Sequence, residues 1–462
     1  MSNSLLQDLP KATELNWHRV RLTDIYEISS GLSKPREEFG HGSPFLTFKD
    51  VLDNFFVPDQ LGSLVNSNEK EQSTCSIKRG DVFLTRTSET YQDLGMSAVA
   101  IRDYPSATFN GFTKRLRPKH QDYVVPEYAA YYLRGRNFRQ EVTAMSTLST
   151  RASLNNEMIS RLTIVLPPIT VQERIGRILK SLDDKIELNR RMSATLESMA
   201  QAIFKSWFID FDPVHRNAAA RSGGSPVKSI LPDLSTDFDH LFPHSFEDSE
   251  LGKVPSGWEV KAIQDVVEVV GGGTPNTKNP EYWQDGSFAW ATPKDLSQSS
   301  SPILLNTERK LTQKGVERVS SGLLESGTVL MSSRAPIGYL ALANVPVAIN
   351  QGFIAIKPGK AVSNYFMLNW CRENLDLIRS RASGTTFLEI SKASFRPIPI
   401  VEPAKAVVRA FDQIVSDLYF QIASNEQESI RLMKTLELLI PLLLTPGSAI
   451  FQFLRSQREE TR

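Results

Sequence analysis

The chain contains the same pattern twice. Trp17-His18-Arg19-Val20 opens the first copy, and Trp258-Glu259-Val260-Lys261 opens the second. Three further positions match at the same constant displacement: Asp24, Glu27 and Gly31 recur as Asp265, Glu268 and Gly272. A repeat of this length predicts two similar globular units in one chain, related by an internal pseudo-two-fold. Such a chain should meet a partner that is itself two-sided or bipartite.

A second pair of matching segments is apolar at steps of mostly three or four residues. Ile178, Leu182, Ile186, Asn189 and Leu196 recur as Ile414, Leu418, Ile422, Asn425 and Leu432. This spacing is typical of the seam of an amphipathic helix that joins a coiled coil. The alternative is a helix buried on its own globular domain. The return of the same seam favours the coiled coil.

Asn189 and Asn425 interrupt the apolar seam at matching positions. A buried amide costs stability unless it finds a partner, and one buried asparagine can fix the register of paired helices. If the two helices pack antiparallel, the pseudo-two-fold could bring the two asparagines near each other. Alternatively, both side chains point to solvent.

Proline and turn residues divide the chain into segments. Residues 17–168 and 258–403 read as short strand-like runs separated by turns, with few helices, so both units are predicted to be β-rich. Thr170-Val171-Gln172-Glu173 has the spacing of a capping box and predicts the start of the first long helix. Pro441 predicts the end of the second helix. The stretch 213–256, rich in Ser, Gly, Pro and Ala, predicts a linker.

Charge and cysteine content limit the class of protein. The 462 residues include 53 Lys plus Arg and 52 Asp plus Glu, so net charge gives no sign of a nucleic-acid partner. Any DNA-binding surface must therefore come from local segregation of charge. Cys75 and Cys371 lie in different halves and suit a reducing compartment. With neither a signal peptide nor a membrane-spanning run, we expect a cytoplasmic chain without membrane contact.

Motifs that would indicate catalysis are missing from the sequence. No segment has the spacing of a phosphate-binding loop, and Asn276 stands where a dinucleotide fingerprint would need its third glycine. Asp233 and Glu259 resemble nuclease carboxylates only by chance, since Asp233 lies in the linker. Between His240 and His244, Phe242-Pro243 prevents the regular helix that would align two metal ligands. The sequence predicts no catalytic residue and no metal site.

Several stretches together resemble the specificity subunit of type I restriction–modification enzymes. They are Leu166-Pro167-Pro168 with Gln172-Glu173, then Leu182-Asp183-Asp184-Lys185-Ile186-Glu187-Leu188-Asn189, Ser206-Trp207-Phe208-Ile209-Asp210-Phe211-Asp212-Pro213, Leu241-Phe242-Pro243, Phe246-Glu247-Asp248-Ser249-Glu250-Leu251-Gly252, Val254-Pro255-Ser256-Gly257-Trp258, and Leu439-Ile440-Pro441-Leu442-Leu443-Leu444. They occur in the family's order over nearly the whole chain. At the second helix start, Val408-Arg409 replaces the Gln172-Glu173 pair.

This resemblance implies an α+β chain with two β-rich target recognition domains, joined by two long helices that form an antiparallel coiled coil. The implied segments are 1–168 for the first domain, 169–212 for the central helix, 213–256 for the linker, 257–403 for the second domain, 404–441 for the distal helix and 442–462 for the tail. In that family the subunit is not catalytic, and each domain reads one half of a bipartite site in double-stranded DNA.

The resemblance also implies partners. Two methyltransferase subunits bind the helices and use S-adenosylmethionine to modify adenine, and two motor-nuclease subunits join to make the restriction complex. ATP and magnesium are therefore expected in the partner subunits, and no cofactor is expected in this chain.

Candidate DNA contacts follow from residue type and position in the repeat. Each lies in a short polar stretch after a predicted strand or before a Gly-Phe pair; they are Lys49, Arg86, Thr87, Ser88, Asn110, Lys294, Ser332, Ser333, Arg334 and Gln351. Arg and the Asn and Gln amides suit guanine and adenine edges, and Ser and Thr suit phosphate oxygens. We matched Lys49 with Lys294, the run 86–88 with 332–334, and Asn110 with Gln351. For each Lys or Arg the alternative is a solvated surface charge.

Two other functions remain open on the sequence alone. A coiled-coil adaptor would bind partner subunits without selecting a DNA sequence. A free-standing DNA-modifying enzyme would need catalytic residues that the motif search did not find.

Overall fold

The computed structural model describes residues 16–88, 90, 92–120, 122–145, 152–222, 238–299, 301–359, 361–384 and 388–448. Contacts divide the chain into two units. The first unit comprises Met1–Lys185 with Arg431–Arg462, and the second comprises Ile186–Ile430. Each division falls inside a long helix, so each unit contains parts of both long helices.

The chain up to the first long helix consists mostly of short strands. The strands are β1 His18–Arg21, β2 Tyr26–Ser30, β3 Phe39–Leu46, β4 Ser63–Val65, β5 Val82–Thr85, β6 Thr87–Ser88, β7 Ser97–Val99, β8 Thr108–Phe109, β9 Thr113–Pro118, β10 Ala152–Ser153 and β11 Thr163–Leu166. The helices are α1 Leu22–Ile25, α2 Phe48–Asp53, α3 Glu69–Thr74, α4 Pro126–Tyr132, α5 Arg136–Met145, α6 Asn156–Arg161 and the long α7 Ile169–Phe208.

The rest of the chain repeats this composition. Its strands are β12 Phe246–Ser249, β13 Gly252–Pro255, β14 Glu259–Ala262, β15 Val269–Gly271, β16 Phe288–Ala291, β17 Ile303–Leu304, β18 Arg309–Leu311, β19 Val329–Ser332, β20 Leu340–Ala343, β21 Val347–Ile349, β22 Phe353–Ile356 and β23 Pro399–Glu402. Its helices are α8 Asp212–Arg221, α9 Ile263–Val266, α10 Pro293–Ser297, α11 Gln313–Val316, α12 Asn364–Glu373, α13 Leu375–Ser380, α14 Lys392–Phe395 and the long α15 Lys405–Leu444.

Sheet topology confirms the internal repeat. The first unit has sheets ordered β2-β9-β5-β7 and β4-β3-β8, and β1 pairs with β11. The second has β15-β22-β19-β20-β17 and β18-β16-β21, and β14 pairs with β23. In both three-stranded sheets the same pair is parallel, β3 with β8 and β16 with β21. The repeated sequence therefore folds into the same strand order twice, with β17 added to the second copy.

The long helices run antiparallel within the second unit. Asn189 of α7 lies beside Asn425 of α15, whereas the later residue Phe204 packs on the earlier residue Phe411 with ring centroids 5.8 Å apart. The seam positions are all buried or partly buried; they are Ile178, Leu182, Ile186, Asn189, Leu196, Ile414, Leu418, Ile422, Asn425 and Leu432. Both sequence interpretations of the helix hold here, because Leu196, Ile414 and Leu418 also pack on the core of the second unit.

The two seam asparagines are buried and hydrogen-bonded. The Asn189 amide nitrogen donates to Glu428 Oε2 at 2.8 Å and, over 3.4 Å, to the Asn425 carbonyl and Ser429 Oγ. Asn425 Nδ2 donates to Ser193 Oγ at 3.3 Å. Of the two alternatives for these residues, burial next to each other is correct and exposure to solvent is wrong.

Two expectations about helix ends are wrong. The first helix begins at Ile169 and its first bonds are accepted by the Pro168 carbonyl, so Thr170 is not the capping residue. The second helix continues past Pro441 to Leu444, because a proline in the last turn removes only one backbone donor from the helix. The described part of the predicted linker, 213–256, contains α8 and the β12–β13 hairpin.

Gln172, one of the residues behind the family resemblance, is buried near the start of α7. Its Oε1 accepts the Val125 N–H at 3.0 Å, and its Nε2 donates to the Pro167 carbonyl at 2.9 Å. The side chain thus joins the helix to the loop before α4. Valine at the matching position 408 can form neither bond.

An aromatic cluster anchors both long helices in the second unit. Phe204 is fully buried, and its ring lies 5.1 Å from Phe208, 5.2 Å from Phe366 and 5.8 Å from Phe411, measured between centroids. Phe420 lies on α15 as well, but its side chain is 73% exposed. Phe204 and Phe420 therefore form a matched pair of helical phenylalanines, with Phe204 inside the core and Phe420 outside it.

We predict that Phe204→Ala lowers the free energy of unfolding by about 3–5 kcal/mol, because it removes a ring from a close-packed cluster. Phe420→Ala should change it by less than about 0.5 kcal/mol. Urea unfolding of the full chain, followed by tryptophan fluorescence, measures both. Equal effects of the two substitutions would contradict this packing.

Candidate nucleic-acid interface

Hydrogen bonds bring together the loops that follow three strands of the first unit. The Asn110 N–H, just after β8, donates to the Leu46 carbonyl at the end of β3. The Arg86 N–H, just after β5, donates to the Phe112 carbonyl. Lys49, Arg86 and Asn110 therefore belong to neighbouring loops. The second unit repeats the arrangement, with Asn350 N–H donating to Ala291 and Ser333 N–H donating to Gly352.

The hydroxyl residue at the end of each central strand organises the loop after it. Thr85 Oγ1 donates to the Asp93 carbonyl at 2.5 Å and accepts the Met96 N–H at 2.9 Å. Ser332 Oγ donates to the Pro336 carbonyl at 2.7 Å and accepts the Gly338 and Tyr339 N–H groups. Ser332 is fully buried. Its prediction as a DNA contact is therefore wrong, because its hydroxyl is occupied inside the protein.

The correspondence between Arg86-Thr87-Ser88 and Ser332-Ser333-Arg334 is displaced by one residue. Arg86 and Ser333 make equivalent backbone bonds, and their carbonyls accept the N–H of Leu154 and of Ile390. Arg334 therefore matches Thr87. Ser333 is also buried, so it too is ruled out as a direct DNA contact in this conformation.

The other side chains of these two runs are partly accessible. A guanidinium nitrogen of Arg334 lies 3.5 Å from Glu389 Oε2, and the two side chains are 39% and 44% exposed. Thr87 and Ser88 form β6, which pairs with β10, and Ser88 Oγ donates to Asp93 Oδ2 at 3.3 Å. Arg86 is half-buried, and its Nε has no hydrogen-bond partner among the described residues.

Asn110 and Gln351 are not equivalent either. Asn110 Oδ1 accepts the Phe112 N–H at 2.6 Å, and Asn350 Oδ1 accepts the Gly352 N–H at 2.9 Å. Asn350, which the sequence analysis passed over, is thus the counterpart of Asn110. Both asparagines use their amide oxygen to shape the turn. Gln351 is exposed and occupies the position of Gly111, and its Oε1 accepts the Thr274 hydroxyl at 2.6 Å.

Lys49 and Lys294 lie in the first turns of the short helices α2 and α10. Each helix begins with a capping box, formed by Thr47 with Asp50 and by Thr292 with Asp295. Both lysines are exposed. Lys294 Nζ lies 2.7 Å from Glu308 Oε2, an exposed ion pair that contributes little to stability. The equivalence of the two lysines is confirmed, while DNA contact by either one stays a prediction.

Cations on β9 hold the first unit together. Arg117 makes two bonds to Asp81, at 2.8 and 2.6 Å, and Asp81 is fully buried. Arg115 donates to the carbonyls of Thr74 and Ser76. Lys114 Nζ donates to Ser30 Oγ at 2.9 Å. Burial lowers the pKa of Lys114, and the nearby positive charge of Arg86 lowers it further.

The repeated Gly31 and Gly272 allow the backbone to pass close to these loops. A Cβ atom on Gly31 would lie 2.4 Å from the carbonyl oxygens of Phe109 and Asn110. On Gly272 it would lie 1.9 Å from the Ile349 carbonyl oxygen. Glycine is required at both positions by main-chain contact, which explains why the repeat retains it.

No group of three or more His, Cys, Asp or Glu side chains that could hold a metal occurs in the part of the chain that the structure describes. None of the described helices combines the length and apolarity needed to cross a bilayer.

Comparison with known proteins identifies the family to which this architecture belongs. The family model for the type I restriction modification DNA specificity domain matches residues 14–198 and again 255–432. The chain belongs to this family. The two matched ranges contain the two copies of the strand order, so each copy is one specificity domain.

Similar proteins agree with the family. The HindI specificity subunit of Haemophilus influenzae is 27% identical over 438 residues, which is 87% of this chain and 93% of that protein. The MjaIX specificity subunit of Methanocaldococcus jannaschii is 34% identical over 198 residues, covering 41% of this chain and 46% of that protein. A crystal structure of a type I S subunit from M. genitalium shares the fold with a TM-score of 0.55, at 11% identity over 95% of this chain and 98% of that one.

We predict that Gly272→Ala destabilises the second specificity domain by about 1–3 kcal/mol, since the new Cβ must displace backbone. Gly273→Ala is the matched control, because its Cβ would meet nothing closer than 3.7 Å. Urea unfolding of the two variants tests the difference. If Gly272→Ala is as stable as Gly273→Ala, the close approach does not exist.

Proposed function

We propose that this chain is the DNA-reading subunit of a type I restriction–modification complex, and that each specificity domain reads one half of a bipartite site in double-stranded DNA. The observation that carries the proposal is the duplicated architecture. Two copies of one strand order coincide with two matches to the DNA specificity domain family. Two similar readers in one chain suit a site made of two separate halves.

The loop ends of each domain are the proposed reading surface. Exposed or partly exposed polar side chains are available there in both domains; they are Lys49, Arg86, Thr87, Ser88, Asn110, Lys294, Arg334 and Gln351. Arginine can bridge the O6 and N7 atoms of guanine, and an amide can pair with adenine. Because backbone bonds join the loops, the side chains can differ between domains without changing how the loops are positioned.

We further propose that the chain itself is not catalytic. Two methyltransferase subunits would supply S-adenosylmethionine chemistry, and two motor-nuclease subunits would supply ATP- and magnesium-dependent cleavage, all in the cytoplasm. Support comes from the names of the similar proteins, which are specificity subunits of restriction enzymes.

Co-expression of the chain with the methyltransferase encoded beside it, followed by mapping of methylated bases in the host genome, tests the function. The proposal requires methylation at a bipartite sequence only when both are present. Complexes without sequence selectivity would instead indicate an adaptor. Methylation or cleavage by the purified chain alone would indicate a free-standing enzyme.

Exchange of one domain should change one half-site. We predict that replacing residues 17–165 by the equivalent domain of a relative alters the methylated sequence on one side of the gap and leaves the other side intact, because each domain has its own core and loops. Methylated-base mapping gives the result directly. A change on both sides would argue against independent reading.

Arg334 allows a test at single-residue level. If it contacts a base, Arg334→Ala should weaken binding by about 1–3 kcal/mol and relax selectivity at one position of one half-site. Competition binding with duplexes substituted at each position measures this in the complex with the methyltransferase. Glu389→Gln controls for loss of the Arg334–Glu389 contact. Uniform weakening over all sequences would instead make Arg334 a phosphate contact.

A further inference from the structure

Phe112 is the most exposed aromatic side chain among the described residues of the first unit, at 62%. It follows Asn110-Gly111 at the end of β8 and precedes the buried Thr113 of β9. An exposed phenylalanine at a loop tip exposes apolar surface to water, and nothing in the fold of this unit requires it there. The position therefore points to contact with another molecule.

The backbone of Phe112 is held on both sides although its ring is exposed. Its N–H donates to Asn110 Oδ1 at 2.6 Å, and its carbonyl accepts the Arg86 N–H at 2.8 Å. The neighbouring Gly111 N–H donates to the Leu32 carbonyl at 2.7 Å. The backbone that carries the ring is thus fixed, so little backbone freedom remains to be lost when the ring binds.

The electrostatic surroundings of Phe112 favour an anionic partner. Arg86 is linked to Phe112 by a backbone bond, and its side chain is partly exposed although its Nε is buried. Lys114, two residues further along, is buried and its Nζ donates to Ser30 Oγ, so it adds positive charge near Arg86 but offers no donor to a ligand. An exposed aromatic ring with positive charge nearby matches a DNA duplex, whose bases stack on rings and whose phosphates are anionic.

We infer that Phe112 is a wedge that inserts at a base step of the half-site read by the first domain. This rests on the proposed function. Apolar side chains that insert between base pairs partly unstack the step and kink the duplex. In the second domain the equivalent position is Gly352, which carries no side chain and is buried. The wedge therefore acts in one half-site only.

The experiment uses the complex of this chain with its methyltransferase partner and a duplex that carries the mapped methylation site. 2-Aminopurine replaces one base at a time along both half-sites, since its fluorescence rises when it is unstacked. The wild-type complex should give a rise at one step of the first half-site and none in the second. Phe112→Ala should abolish the rise and weaken binding about 5- to 100-fold. Phe112→Trp should retain both.

Tyr123→Ala is the matched control, because Tyr123 is another exposed aromatic of the same unit. It should leave affinity and fluorescence unchanged. No fluorescence rise with the wild type, despite tight and selective binding, would overturn the wedge and leave the proposed function intact. Failure of the wild-type complex to select any sequence would overturn both.

Two further outcomes would also refute the wedge. If exchange of thymine for uracil reproduces the effect of Phe112→Ala, the ring contacts a thymine methyl group in the major groove. If Phe112→Ala instead reduces co-purification of the methyltransferase, the ring binds protein.

Discussion

The close passage of the backbone at Gly31 and Gly272 is the constraint on which the interface depends. In each domain this glycine, which directly follows β2 or β15, lies against the carbonyl oxygens at the end of β8 or β21, closer than any side chain would permit. The same loop is joined to the end of β3 or β16 by one backbone bond and to the end of β5 or β19 by another. Main-chain contacts thus join the three loops, and within the loops the turns are completed by the hydroxyls of Thr85 and Ser332 and the amide oxygens of Asn110 and Asn350.

Because main-chain bonds join these loops, other side chains in the loops can vary between the two domains. At three equivalent positions the two domains carry different residues: Arg86 and Ser333, Thr87 and Arg334, and Phe112 and Gly352. These pairs differ in charge, volume and aromatic character, yet their backbone bonds are the same. Under the proposed function, this is how one duplicated fold can read two unlike half-sites, since base selection depends on the side chains and on the shape of the DNA.

The sequence predicted what is periodic and local. The repeat and the two long helices follow from regular spacing, and the structure confirms them. For Asn189 and Asn425 the sequence left two alternatives, and the structure selects burial next to each other. The loops were matched one residue out, because the Gly-Phe pair after Asn110 and the Gly-Phe pair after Gln351 occupy positions that differ by one residue in the two domains. Ser332 was misjudged because its burial depends on a turn formed later in the chain. The sequence did contain a signal for the correct match of the two loops, since β5 ends at the hydroxyl residue Thr85 and β19 ends at the hydroxyl residue Ser332.

Charge composition could not have indicated the interface, and the first domain shows why. Lys114, Arg115 and Arg117 form a cationic run in the sequence, which looks like a surface for phosphates. The fold instead turns these side chains inward or pairs them: Arg117 with the buried Asp81, Arg115 with two carbonyls, and Lys114 with Ser30. Counting cations therefore overstates what is available to a nucleic acid. Arg86 differs because a backbone bond to Phe112 places it at the loop tip, where its side chain is partly exposed. A lysine or arginine side chain is therefore available to DNA only where the fold has not already paired it with another protein group.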